Sequence, residues 1–164
     1  MCWQCDHPNA TYTDYLNHMR GLISRYGWAV QGVSRDRLHP PWAYTVGLTP
    51  HGLPELVVTG MQVTHATCLL NEMASHALHA EFPQPGEQIP LTGGPLIEIV
   101  KVAEPAAHLN LAVSLYGAGI RALQVVHADD RDHWPWDGYY RGIRGGQPVL
   151  GTRSPGSAAL PPTG

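Results

Sequence analysis

Residues 41–60 read Pro41-Trp42-Ala43-Tyr44-Thr45-Val46-Gly47-Leu48-Thr49-Pro50-His51-Gly52-Leu53-Pro54-Glu55-Leu56-Val57-Val58-Thr59-Gly60. Trp42–Leu48 and Leu56–Thr59 are runs of β-branched and aromatic residues bounded by Pro and Gly, the composition and punctuation of strands. The link between them is too short for a parallel crossover, so the two are expected to pair antiparallel. Upstream, 28–33 (Trp28-Ala29-Val30-Gln31-Gly32-Val33) has the same character and supplies a third strand.

Helical periodicity flanks this block. In 11–26, Tyr12, Tyr15, Leu16, Met19, Leu22, Ile23 and Tyr26 recur at i, i+3, i+4, i+7 spacing. Thr11 with Asp14 three residues on forms a capping box, and Gly27 is placed to end the helix. A second helix is expected from about Val63 to Ala80, with Ala66, Leu69, Leu70, Met73, Ala74 and Ala77 on its core face. Residues 83–95 read as a loop, 96–102 as a strand, 105–116 as a third helix with Pro near its first turn, and 120–126 as a last strand. The sum is one α+β domain, a mostly antiparallel sheet of about five strands packed by two or three helices. Residues 1–10 form an N-terminal Cys/His segment and 11–150 the globular domain. In 151–164, ten of fourteen residues are Gly, Pro, Ser or Thr, which reads as a disordered tail.

Composition narrows the function classes. A net charge of −3 with a single lysine argues against a nucleic-acid surface, which needs a basic stripe. No run approaches the roughly 20 apolar residues of a membrane span, and residues 1–10 lack the apolar centre of a secretion signal. The expectation is a cytoplasmic protein whose Cys2, Cys5 and Cys68 stay reduced. Ten histidines in 164 residues raise metal binding and titration near neutral pH as possibilities to weigh.

Three clusters carry chemical potential. Cys2, Cys5 and His7 supply soft-metal ligands for zinc or iron, or a redox pair in Cys2 and Cys5; three ligands leave a closed tetrahedral site one short. His65, Cys68, Glu72, His76 and His79 fall within an arc of roughly 80° on the second helix at about 100° per residue. Glu72 and His76 there sit at ligand spacing, although a solvated helix face has the same composition. The loop 127–137 holds His127, Asp129, Asp130, Asp132, His133, Trp134, Trp136 and Asp137 at a strand end, able to hold a hard cation or a small polar ligand. The spacing does not fit an EF-hand loop. Residues 139–146 mix aromatic and basic side chains, but two arginines there are too few for nucleic acid. No Walker loop, nucleophile elbow or dinucleotide fingerprint is present.

Several strings together resemble a known family: Cys2-Trp3-Gln4-Cys5-Asp6-His7-Pro8, Tyr26-Gly27-Trp28-Ala29-Val30, residues 41–49 and 52–60, Leu123-Gln124-Val125-Val126, Trp134-Pro135-Trp136-Asp137 and Gln147-Pro148-Val149-Leu150-Gly151. The chain resembles the bacterial domain of unknown function 4262 family, as an actinobacterial-type member, over about residues 11–151. The resemblance implies a compact bacterial cytoplasmic domain and no activity. His127 stands where the family pattern leads one to expect tryptophan. The best-matching strings draw attention to Trp42, Tyr44, Thr45, Gly47, Glu55 and Gly60, and suggest a ligand pocket of Trp42, Tyr44, Glu55, Trp134 and Trp136.

The leading expectation is a small binding protein for an unidentified small molecule or protein, with metal at the N-terminal Cys-x-x-Cys-x-His cluster. One alternative is an enzyme, by thiol redox at Cys2/Cys5 or by metal-dependent chemistry at 127–137. Another is an interaction or immunity-type accessory protein without chemistry.

Overall fold

The computed structural model describes residues 3–154. A short helix α1 (Trp3–Asp6) precedes α2 (Tyr12–Tyr26). Thr11 caps α2 by the expected box: its hydroxyl accepts from the Asp14 amide, and the Asp14 carboxylate accepts from the Thr11 amide at 2.8 Å. Gly27, left-handed at φ 92°, ends the helix.

Three antiparallel strands follow, β1 (Ala29–Val33), β2 (Trp42–Val46) and β3 (Glu55–Thr59). A 3₁₀ turn at Thr49–His51 joins the last two. Gly47 starts the turn at φ 126°, where a Cβ would stand 2.8 Å from the Trp28 backbone, so only glycine fits. Next come α3 (Val63–His79), β4 (Gln88–Pro90), β5 (Leu96–Lys101), α4 (Pro105–His108), α5 (Asn110–Tyr116) and β6 (Ala122–His127).

The sheet has six strands in the order β1-β2-β3-β6-β5-β4. Every neighbouring pair is antiparallel except β3 with β6, whose register sets Leu56 beside Leu123. The α+β class and antiparallel bias of the sequence reading hold. The sixth strand is β4, inside the stretch 83–95 that reads as loop. Three residues ending in a proline carry no alternation signal, and only pairing with β5 makes them a strand. The third helix of the sequence reading divides at Leu109, whose φ of −107° and ψ of 61° end α4 and begin α5.

Both sheet faces are covered. α3 lays Ala66, Leu69, Leu70 and Ala74 on Ala43, Leu56, Val58, Ile97, Ile99, Leu123 and Val125. The opposite face carries Tyr44, Val46 and Val57 against Met19 of α2 and Leu109, Leu111 and Ala112 of the α4–α5 segment. This two-sided burial explains why β3 and β6 read as near-continuous apolar runs.

The chain after β6 closes over the second face. The Pro148 carbonyl accepts from Thr59 Oγ1 at 2.6 Å and Gln124 Nε2 at 2.7 Å, and the Leu150 amide donates to Gln124 Oε1 at 2.7 Å. Arg153 donates from Nε to Oε1 of the fully buried Glu98 at 2.8 Å and from Nη2 to Oε2 at 2.9 Å. The first four residues of the expected 151–164 tail therefore lie against the domain, and 155–164 fall outside the described residues. Among the described residues no helix is long and apolar enough to cross a membrane.

Candidate functional site

α3, the segment that follows it and the β4–β5 edge enclose a cavity of about 600 Å³. Leu69 and Met73 form its α3 wall, because the same helical row that fills the core continues past the edge of the sheet. Phe82, Ile89, Leu91 and Ile97 complete the apolar lining. Phe82 is the only phenylalanine of the chain, held between Glu81 and the buried Pro83. Its backbone leaves α3 there because Ala80 turns extended and Pro83 forbids further helix.

The rim is acidic. Glu72, Glu81 and Glu87 line the mouth together with His76. Glu87 accepts from the Gln84 amide at 3.0 Å, whereas the Glu72 and Glu81 carboxylates have no hydrogen-bond or ion-pair partner among the described residues. Size, apolar walls and a few charged groups at one edge are the attributes of a small-ligand site. The sequence identifies Glu72 and His76 as candidate metal ligands and Leu69 and Met73 as core. It misses Phe82, Ile89, Leu91 and Ile97 as pocket residues, for which the lone phenylalanine was the available signal.

The other sequence candidates separate. Cys2 lies outside the described residues. Cys5 and Cys68 are exposed thiols. The His7 ring stacks on Trp3 with centroids 4.3 Å apart, and its Nδ1 lies 2.9 Å from the Trp3 carbonyl. Trp3 in turn packs on Tyr15 and His18 of α2. His65, Cys68, Glu72, His76 and His79 form the solvated face of α3. Among the described residues no three His, Cys, Asp or Glu side chains come together in a metal-holding group.

In the 127–137 loop the carboxylate of Asp129 is occupied by its own chain. Oδ1 accepts from the Arg131 and His133 amides, both at 2.9 Å, and Oδ2 accepts from the Arg141 amide at 3.0 Å. Its side chain is 3% exposed. Burial alone would raise its pKa, but the backbone donors of His133, Arg141 and Arg131 and the His133 ring pull it down to about 2. Asp132, left-handed at φ 61°, makes the turn that aims those amides inward. The loop is thus a self-satisfied turn, and among the described residues His127, Asp129, Asp132 and His133 do not gather into a group of three such side chains. His127, 9% exposed, places Nε2 3.3 Å from the Thr59 carbonyl. Burial depresses its pKa against the opposing pull of the Thr59 and Ala128 backbone.

The five residues of the expected ligand pocket also part company. Glu55 is fully buried and accepts four hydrogen bonds from the β2–β3 turn, from Thr45 Oγ1, the Gly47 amide, and the Thr49 amide and hydroxyl. Tyr44 lies in the core of the second face, where its hydroxyl accepts from the Leu111 amide at 3.0 Å; burial pushes the phenol up to about 12. Trp42 is half-buried on the same face, its indole N–H without a partner among the described residues. Trp134 and Trp136 stack at 5.3 Å, and the Arg153 guanidinium covers Trp136 at 4.0 Å. These side chains hold the fold in three separate places.

A family model described as "Domain of unknown function (DUF4262)" matches residues 22–141. No curated protein and no solved structure matches the chain.

Proposed function

The chain belongs to the domain of unknown function (DUF4262) family, and from that premise we propose that it is a binding module for a small molecule with an apolar body and a cationic group. The cavity between α3 and the β4–β5 edge carries this reading. Its aliphatic and aromatic walls gain by excluding water from an apolar ligand, at roughly 25 cal/mol per Å². The unpaired Glu72 and Glu81 carboxylates at the mouth favour a positive charge there.

The test titrates the full-length chain with n-hexylamine and with n-hexanol, following backbone amide shifts by NMR. Both ligands are expected to move amides of 69–76 and 81–97, with the amine roughly three- to tenfold tighter. Glu72→Gln/Glu81→Gln should erase that preference and leave hexanol binding alone. Scattered shifts, or equal affinity for the two ligands in the wild type, would refute the assignment.

A second proposal concerns zinc or iron at Cys2, Cys5 and His7. The observation favouring it is the His7 Nδ1, which meets the Trp3 carbonyl at 2.9 Å, the kind of backbone hydrogen bond that many metal-ligating histidines make through the nitrogen not bound to metal. Elemental analysis of untagged, reduced protein should find about one metal per chain, lost in Cys2→Ser/Cys5→Ser. Metal-free wild type ends this proposal and leaves reversible disulfide formation to be read by thiol titration.

A further inference from the structure

Nine arginines serve this chain, and they divide by partner. Arg20 donates to Asn17, Arg121 to the Gly52 carbonyl, and Arg153 to Glu98, while Arg25 lies over the Tyr26 ring. The guanidinium groups of the remaining five, Arg35, Arg37, Arg131, Arg141 and Arg144, have no hydrogen bond, ion pair or ring contact among the described residues. All five line two cavities at one end of the sheet.

The first cavity, about 440 Å³, opens where the parallel strands β3 and β6 end. Gly60–Gln62, His65, His127, Arg131, Tyr140 and Arg141 are on its wall. The second, about 590 Å³, holds Arg35, Arg37, His39 and Arg144. One loop divides them: residues 140–143 line the first cavity and 144–145 the second. That loop is pinned by close backbone approach. At Gly60, left-handed at φ 67°, a Cβ would stand 2.5 Å from the Gly146 carbonyl oxygen, and Gly145 packs on Pro40. The arginines are therefore presented from a fixed scaffold, and none of the five is ion-paired to a carboxylate among the described residues. Asp129, Asp130 and Asp36 share these walls, and Asp129 and Asp36 turn their oxygens to backbone amides and histidines of their own loops and not to the guanidinium groups.

In a protein of net charge −3, these two walls carry five guanidinium groups against three carboxylates, a local positive excess that draws anions to this end of the sheet. The 17-residue α3 begins on the first cavity, and Gln62 gives it no side-chain cap, so its first-turn N–H groups add to the positive field. We infer that the cavity between Gly60–His65, Arg131 and Arg141 is a binding site for a phosphate group, with Arg35, Arg37 and Arg144 extending the positive field across the dividing loop. Guanidinium forks match phosphate oxygens in pairs, and the ends of adjacent parallel strands beside a helix N-terminus are where α/β sheets receive such groups. The site is distinct from the apolar cavity farther along α3, which has acidic rims and takes the opposite charge. The shared chemistry is the phosphate, whether free or carried as an ester.

The full-length chain is titrated with inorganic phosphate and with phenyl phosphate at constant ionic strength, using amide shifts and the melting temperature. Saturable shifts at 60–65, 127–131 and 140–143 are expected. Arg131→Gln/Arg141→Gln should weaken binding about tenfold or more, while Arg20→Gln/Arg25→Gln leaves it unchanged. Both arginines of the first pair keep the backbone amides that hold Asp129, and the melting temperature without phosphate reads whether the loop survives. Should it not, Arg35→Gln/Arg144→Gln decides from the other side of the loop by the same loss of affinity. Tighter binding of phenyl phosphate assigns an ester ligand, and equal binding assigns free phosphate. Unsaturable shifts, or equal loss in the Arg20/Arg25 control, overturn the site.

Discussion

Glu55 shows how a single side chain can look chemical and act mechanically. A carboxylate at the start of an apolar strand invites a functional reading, and its string matches the family. Folded, it is 0% exposed and gathers four donors that would otherwise be buried without acceptors. The Thr45 hydroxyl it orients also accepts from the Leu56 amide at 2.8 Å, so the carboxylate fixes the turn and the adjoining strands together. Glu55→Ala should cost about 3 kcal/mol or more in urea unfolding, because it strands those donors; Glu55→Gln should cost less, since one acceptor oxygen remains. A loss under about 1 kcal/mol for the alanine would show that the turn is held by other contacts. Neither variant should alter hexylamine or phosphate binding.

At the scale of elements, α2 was the most legible part of the chain. Its periodicity, its capping box and its terminal glycine are all local, and all three are present. Thr11→Ala removes one half of the box and should destabilise the protein by about 1 kcal/mol in the same assay. An unchanged midpoint would mean that packing of α1 and β1 fixes the helix start without the cap. α3 was equally legible as an amphipathic helix. Its surroundings were not: the same i, i+4 spacing of Glu72 and His76 describes a metal pair, a solvated face or the rim of a cavity. Only the placement of Phe82 and of β4 beside α3 makes these two exposed residues part of a cavity wall. β4 itself has three residues, and no periodicity can be read in three.

At the scale of the molecule, acid stability follows from two buried groups of the β6 end. His127 unfolded takes a proton near pH 6.5; folded, burial holds it neutral to lower pH. Just below pH 6.5 the unfolded chain therefore binds more protons, so the stabilisation is complete above that pH and declines as pH falls. Asp129 titrates at 3.8 unfolded and about 2 folded, so its contribution is complete above about pH 4 and is lost on the way to pH 2. The melting temperature should fall in two stages on acidification. His127→Gln, which retains a donor for the Thr59 carbonyl, should remove the first stage and leave the second. A first stage that persists in His127→Gln would place that titration on another histidine.

The sequence by itself determined the α+β class, the family, α2, α3 and the antiparallel β1–β2–β3 block, because each depends on spacing within a few residues. The tertiary structure alone decided the parallel β3–β6 pair, which joins segments more than sixty residues apart. It also decided which polar groups are occupied: Glu55, Asp129 and Glu98 are satisfied by partners that no local pattern announces. The same holds for the five unpaired arginines, which come from three loops and meet only when β1, β2 and β6 bring their ends to one side of the sheet. Local spacing encodes what a segment becomes, whereas chemistry depends on what remains unpaired once distant segments have met.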